Sequence, residues 1–228
     1  MIGYIDCQVI SSAGMPGRRT YGDPCGIARA LDVIGERWGL LVVRELLLGP
    51  KRFTDLRAGL PQVGPDVLAQ RLRELEQAGV VQRGKLPPPA GSRIYELTEW
   101  GRELEPVVLG LGRWGSARAP FPPGRDELGP DSLILALKTL FDPARAEGLT
   151  GAAFELRLGE DVFSLSVGRG QLDASRGPAA EPVATITAQP GVLQKVLWHG
   201  RPLRDAGVEI AGDRRAAERL LRLFPLAS

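Results

Sequence analysis

The sequence predicts an α+β protein in two parts: a mainly helical half carrying a two-stranded ribbon, then a smaller half mixing helices with antiparallel strands. Three observations predict this. Leu68, Leu72 and Leu75 recur at i, i+4 and i+7, the spacing of one buried helical face. Residues 80–83 and 94–97 are short strand-like runs on either side of a tip rich in Pro and Gly. Phe154, Leu156 and Leu158 alternate with Glu155 and Arg157; after a Gly159-Glu160-Asp161 turn, Phe163, Leu165 and Val167 alternate with Ser164 and Ser166. That is a hairpin with one buried face.

Composition narrows the function. A chain of 228 residues with 43% apolar content can bury one large or two modest cores. The net charge of +2 and pI near 8.7 are only mildly basic, so a nucleic-acid surface must come from local clustering. Two cysteines, Cys7 and Cys25, imply no disulfide framework and a reducing compartment. No apolar run is long enough to span a membrane, and residues 4–7 are too short and polar for a signal-peptide core, so a cytoplasmic location is expected. His199 is the only histidine and has no second ligand at metal-binding spacing. No nucleophile-and-base pattern, phosphate-cradling loop or dinucleotide fingerprint occurs. Neither an enzyme nor a cofactor is expected.

Residues 1–22 carry scattered Gly, Ser and Pro without periodicity and read as an irregular arm in which Met15 is a second candidate start and Arg18 and Arg19 candidate phosphate contacts. From residue 23 to 116 the pattern is helical. Short helices are expected over 25–35 and 37–48, the second ended by Gly49-Pro50, and a third opens at Phe53 with Thr54 as its cap. A turn at 62–64 leads into the leucine-striped helix, with Gly64 as N-cap, Pro65 in the first turn and Gly79 just past the end. This is a helix, a tight turn and a second helix, followed by a ribbon whose rim carries Lys85 and Arg93: a winged helix-turn-helix pattern. Thr98 caps a last helix bearing Leu104, Val108, Leu111 and Trp114, kinked by Pro106, with Gly101, Gly110 and Gly112 permitting close approach of another helix. On the leucine-striped helix, Asp66, Gln70, Arg73 and Gln77 point away from the buried face. Gln pairs bidentately with adenine and Arg with guanine. An ordinary solvated face is the alternative for these residues taken alone.

The runs 25–38, Arg52-Phe53-Thr54-Asp55-Leu56, 68–75 and Tyr95-Glu96-Leu97-Thr98-Glu99-Trp100-Gly101 together resemble the HxlR-type winged-helix transcriptional regulators. The resemblance covers about 23–115. It implies a homodimer with the terminal helices in the interface (Cys25, Leu104, Val108, Leu111 and Trp114) and a recognition helix in each major groove. The DNA-contacting positions it implies are Arg52, Gly64, Pro65, Asp66, Ala69, Gln70 and Arg73, with Lys85, Ser92 and Arg93 on the wing. Two positions depart from the family pattern: Gly26 stands where Pro is usual, and Gly64 where Ser is usual. Gly caps only a few tenths of a kcal/mol worse than Ser, but a hydroxyl that can reach a phosphate is missing. The resemblance also puts Cys25 where redox-sensing members carry a reactive thiol, near Arg29 and a helix N-terminus; the alternative is a small hydrophobe under the dimer interface.

Residues 117–130 read as a Pro-rich semi-rigid spacer. In 131–228, Asp131 is expected to cap a helix bearing Leu133 and Leu137, with further strands at 171–175 and 183–188, a helix opened by Pro190, a short strand near 208–210 and a final helix capped by Asp213. Residues 184–188, 199–203, 208–213 and 220–224 resemble the sterol carrier protein-like domain. That resemblance implies an apolar small molecule held between sheet and helices. Phe154, Leu165, Ile186, Leu193, Leu197 and Trp198 are candidates to line a pocket, with ordinary core as the alternative. The expected function is a homodimeric, sequence-specific regulator that binds double-stranded DNA and responds to an apolar ligand. The alternative is a lipid or small-molecule carrier whose winged helix serves protein interaction.

Overall fold

The computed structural model describes residues 20–85, 91–118 and 127–226. The expected irregular arm through residue 19 (with Cys7, Met15, Arg18 and Arg19), the tip of the ribbon at 86–90 and most of the Pro-rich segment, 119–126, lie outside the described residues. The chain divides into two compact units, residues 1–36 and 37–228.

In the first unit, α1 spans Gly26–Ile34. Its N-cap is Cys25, whose backbone N–H donates to the Asp23 carboxylate at 2.8 Å. Asp32 ties the preceding segment down: its carboxylate accepts from the Thr20 hydroxyl and the Tyr21 N–H, both at 2.9 Å. Ile27 and Leu31 on α1 are exposed.

In the second unit, α2 spans Gly39–Leu46, α3 Phe53–Gly59 and α4 Pro65–Gln77. Val42, Val43 and Leu46 of α2, Leu56 of α3 and the Leu68, Leu72 and Leu75 stripe of α4 are all buried. Each such side chain contributes about 1.5–3 kcal/mol of apolar burial. The strands β1 (Val81–Lys85) and β2 (Arg93–Leu97) pair antiparallel, with Val81 opposite Leu97 and Lys85 opposite Arg93. A one-residue bridge lies along β2 at its middle, where Lys51 and Tyr95 exchange backbone hydrogen bonds at 2.9 and 2.8 Å.

The α3 cap differs from expectation. Arg52, not Thr54, is the N-cap, and the Asp55 carboxylate accepts from the Arg52 N–H at 3.1 Å. Phe53 already belongs to the helix, so Thr54 lies two residues past the cap position. Past Thr98, which accepts from Gly101 N–H at 3.0 Å, the expected kinked helix is two: α5 (Glu99–Arg102) and α6 (Glu105–Arg118). Pro106 falls in the first turn of α6, where its missing donor costs nothing, so the chain breaks before it rather than bending at it.

After residue 127, α7 (Pro130–Leu140) is followed by a 3-10 turn (Pro143–Arg145), β3 (Ala153–Leu158), β4 (Asp161–Val167), β5 (Leu172–Arg176), β6 (Ala184–Ala188), α8 (Pro190–Trp198), a second 3-10 turn (Leu203–Asp205), β7 (Glu209–Gly212) and α9 (Arg214–Leu221). The sheet order is β5-β4-β3-β6-β7, antiparallel except for β3 and β6, which run parallel. Phe154 sits between Leu165 and Ala184, and Leu156 between Phe163 and Ile186. That continuous apolar face is covered by Leu133 and Leu137 of α7, Leu193 of α8, Ala217 and Leu220 of α9, and Phe224. Leu48, in the helical half, belongs to the same core, and Leu47 and Leu109 pack against it. The two expected parts thus share apolar packing.

Asp213 caps α9 as expected, accepting from Ala216 N–H at 3.0 Å. Asp131 does not cap α7. Gly129 is the N-cap and Pro130 takes the first helical position, so Asp131 lies inside the first turn with its carboxylate turned away.

Candidate nucleic-acid interface

The start of α4 is set by Gly64 in an extended conformation and Pro65 at the first helical position. Its end is a Schellman turn. Gly79 takes φ +76°, its N–H donates to Glu76 O at 3.0 Å, and Val80 N–H donates to Leu75 O at 2.9 Å. That turn delivers the chain directly into β1, so α4 and the ribbon are positioned by one local motif.

With the leucine stripe buried, Asp66, Gln70, Arg73 and Gln77 are exposed and Ala69 is half-buried. Gln70 and Arg73 are tied together: Arg73 Nη2 donates to Gln70 Oε1 at 3.0 Å, and Gln70 Nε2 donates to Glu74 Oε1 at 2.7 Å. Both side chains are held on one outward row rather than free to sample every rotamer. The ribbon rim presents Lys85 and Arg93 side by side and exposed, with Ser92 half-buried beside Arg93. Arg83, one step nearer the base, pairs with Glu76 at 2.9 Å and lies 5.9 Å from the Tyr95 ring, bracing β1 against α4. Arg52 is exposed at the start of α3. Sequence reasoning overlooks Arg57, which lines a concavity with Thr54, Gly64 and Pro65 at the α3–α4 turn. Its one signal is a lone cation at the end of α3.

Behind this surface lies a chain of buried charge that the sequence does not reveal. Lys51 Nζ donates to Glu45 Oε2 at 2.6 Å and to Asp131 Oδ2 at 2.5 Å. Arg44 also pairs with Glu45 at 2.7 Å, and Arg176 donates to Asp131 Oδ1 at 2.6 Å and pairs with Asp161. Burial works against the Arg176 charge, but attraction and hydrogen bonds from Asp131 and Asp161 outweigh it and raise its pKa above the ordinary value. The guanidinium also lies 4.9 Å from the Phe163 ring. The network runs from α2 through Lys51, beside the middle of β2, into α7 and the C-terminal sheet.

The helix α6 has two faces. Glu105 pairs with Lys138, Leu109 packs against the core, and a Cβ added at Gly112 would stand 3.2 Å from the Thr139 hydroxyl, so this face lies on α7. On the other side Val107, Leu111 and Trp114 are exposed at helical spacing, Trp114 by 75%. Leu104, in the turn just before α6, and Val108 are half-buried.

A profile of the HxlR-like helix-turn-helix family matches residues 33–121. The uncharacterized regulator YvaP of Bacillus subtilis is 38% identical over 88 residues, which are 39% of this chain and 82% of that protein. The chain belongs to the HxlR-like family. The HTH-type transcriptional regulator YodB, also of B. subtilis, is 39% identical over 37% of this chain and 76% of its own length. A solved structure of the redox regulator HypR in its oxidized form is 36% identical with a TM-score of 0.40, covering 42% of this chain and 100% of that one. In this HxlR-like protein Cys25 is a free, exposed thiol. Phe154, Leu165, Ile186 and Leu193 have no exposed surface, whereas Leu197 and Trp198 are half-buried and Trp198 donates its indole N–H to Phe224 O at 2.9 Å. Among the described residues no cluster of His, Cys, Asp or Glu suits a metal, and no helix is long and apolar enough to cross a membrane.

Proposed function

We propose that this transcriptional regulator works as a homodimer that reads a two-fold DNA site with α4 and grips the backbone with the ribbon, and that its C-terminal part, a sterol carrier protein-like domain, takes an apolar small molecule that modulates binding. The paired, outward Gln70 and Arg73 carry the DNA reading, because side chains of this chemistry recognise base edges in the major groove. Arg52, Gly64, Pro65, Asp66 and Ala69 flank them at the groove, and Lys85, Ser92 and Arg93 supply the backbone contacts. The exposed Leu111 and Trp114 support a dimer through α6, with Leu104 and Val108 at its edge and Cys25 as the thiol available to oxidation. The protein acts in the cytoplasm.

Binding-site selection from random duplex DNA tests the reading. Gln70→Ala or Arg73→Ala relaxes the preference at one position by about 1–3 kcal/mol for each bidentate pair with a base that it removes. Lys85→Ala or Arg93→Ala weakens all sequences alike and flattens the salt dependence by roughly one unit per phosphate gripped. Unchanged discrimination in the first pair would remove α4 as the reading surface.

The dimer has its own test. Leu111→Asp or Trp114→Asp is expected to give a monomer in sedimentation that no longer binds a two-fold site. An unsubstituted protein that sediments as a monomer at micromolar concentration disposes of the dimer.

A further inference from the structure

We propose that Val67 is a specificity-determining residue that reads the C5-methyl group of a thymine in the major groove. This rests on the reading above that α4 enters the groove, and it adds an apolar contact to the polar ones. Val67 lies in the first turn of α4, two residues past Pro65. Helix-turn-helix proteins contact base edges with the N-terminal residues of the recognition helix. The other large apolar side chains of α4, Leu68, Leu72 and Leu75, are buried, whereas Val67 is 45% exposed. The outward row beside it, Asp66, Gln70, Arg73 and Gln77, is polar. Val67 and Gln70 are three residues apart, so they stand about 60° apart around the helix and about 4.5 Å apart along it. A base pair takes up roughly 3.4 Å of duplex, so the two side chains fall on the same base pair or on neighbours.

The chemistry of the groove supplies the partner. Of the groups that the four bases present there, the thymine methyl is the apolar one; the distinguishing others donate or accept hydrogen bonds. A valine side chain does neither. Its branched Cβ keeps one strongly preferred rotamer in a helix, so its two methyls are held in place at little entropic cost. Valine is also a poorer helix former than Gln, Lys or Glu, so the stability of α4 does not call for it at an exposed position. The start of the helix is uncrowded: a Cβ at Gly64 would meet no heavy atom within 4 Å. An adenine held by Gln70 brings its own thymine, with the methyl on the same groove edge. Val67 and Gln70 together therefore favour A·T from both strands of one pair, or at two adjacent pairs.

The probe is the duplex recovered by binding-site selection with the full chain, each thymine replaced in turn by deoxyuridine, which removes the methyl and keeps O4. Burying one methyl is worth about fourfold in affinity, and about fifteenfold over two half-sites. The parent is expected to lose that much at one thymine per half-site, at or next to the position relaxed by Gln70→Ala. Val67→Ala should keep the parent's Tm and bind the thymine and deoxyuridine duplexes equally. Val67→Thr, which keeps the branch and one methyl, should retain a penalty of about twofold, and it carries the test if the alanine variant does not fold. At the same position 5-methylcytosine should bind the parent about fourfold better than cytosine does, and Val67→Ala no better. A scan in which no thymine costs the parent more than about twofold overturns the proposal. So does a Val67→Ala protein that keeps the whole deoxyuridine penalty, since another group then meets the methyl. Uniform weakening of Val67→Ala on every duplex, with no methyl dependence in the parent, makes Val67 a sugar contact and overturns it too. Unchanged discrimination in Gln70→Ala and Arg73→Ala sinks base reading by α4 itself; relaxed discrimination there, without a methyl-dependent position, sinks this proposal alone.

Discussion

Lys51→Met is expected to destabilise the protein by about 3–5 kcal/mol, the cost of breaking a buried pair from one side. The Lys51 side chain is 7% exposed, and its ammonium is shared by Glu45 and Asp131, whose side chains are 2% and 9% exposed. Methionine fills the aliphatic stem's space but leaves two buried carboxylates facing a thioether, with only Arg44 and Arg176 to hold them from the outside. Urea unfolding measures the loss. Adding Glu45→Gln and Asp131→Asn to Lys51→Met should return much of it, because neutral amides do not need the cation. A single substitution costing under about 1 kcal/mol would show that water reaches this network and screens it.

Gly101→Ala is the second large effect. A Cβ there would stand 2.1 Å from Val80 O and 3.3 Å from Leu97 Cβ. The atom in the way is backbone, and it already accepts from Thr98 N–H at 3.0 Å, so it cannot turn aside. Either α5 lifts off the ribbon or β1 shifts away from the end of α4. Overpacking of this kind costs about 3 kcal/mol. Because Val80 closes the Schellman turn of α4, the variant should also bind DNA less tightly even when folded, with a flatter salt slope as Lys85 and Arg93 move. Unfolding curves and salt titrations on the same preparation separate the two effects.

These two sites mark where the sequence is readable and where it is not. The α4 helix is legible end to end, because each of its signals is local: Gly64 and Pro65 at the start, leucines at helical spacing, Gly79 at the stop. The ribbon is legible for the same reason, its two runs being close in sequence and of matched length. Gly101 is legible as a point of close approach, but the expected neighbour is a helix and the actual one is the carbonyl of Val80. Gly112 does meet a helix, α7 of the same chain. Asp131 looks like a helix cap because Asp commonly is one; Pro130 claims the first helical position, and the carboxylate goes instead to a lysine 80 residues away. The parallel pairing of β3 with β6 has no sequence signature beyond the strands themselves. Of the expected pocket residues, Phe154, Leu165, Ile186 and Leu193 carry the alternation of any one-sided sheet or the spacing of any packed helix, and neither pattern distinguishes a filled interior from a hollow one.

The position of Lys51 also bears on how the molecule is made. A ribosome adds roughly 5–20 residues per second, so the 80 residues separating Lys51 from Asp131 represent about 4–16 s of synthesis. Arg176 emerges 45 residues later still. Throughout that interval α2, α3, α4 and the ribbon can assemble around their leucines, but Lys51 has only Glu45 as an ion-pair partner, and Leu48 has no C-terminal core to enter. The nascent helix-turn-helix must therefore pass through a stage in which the Lys51 side chain is held by Glu45 without Asp131. The full set of side chains in this network is present only once Asp131 in α7 and Arg176 at the end of β5 have been translated, so completion of the helix-turn-helix half is timed by residues of the C-terminal half.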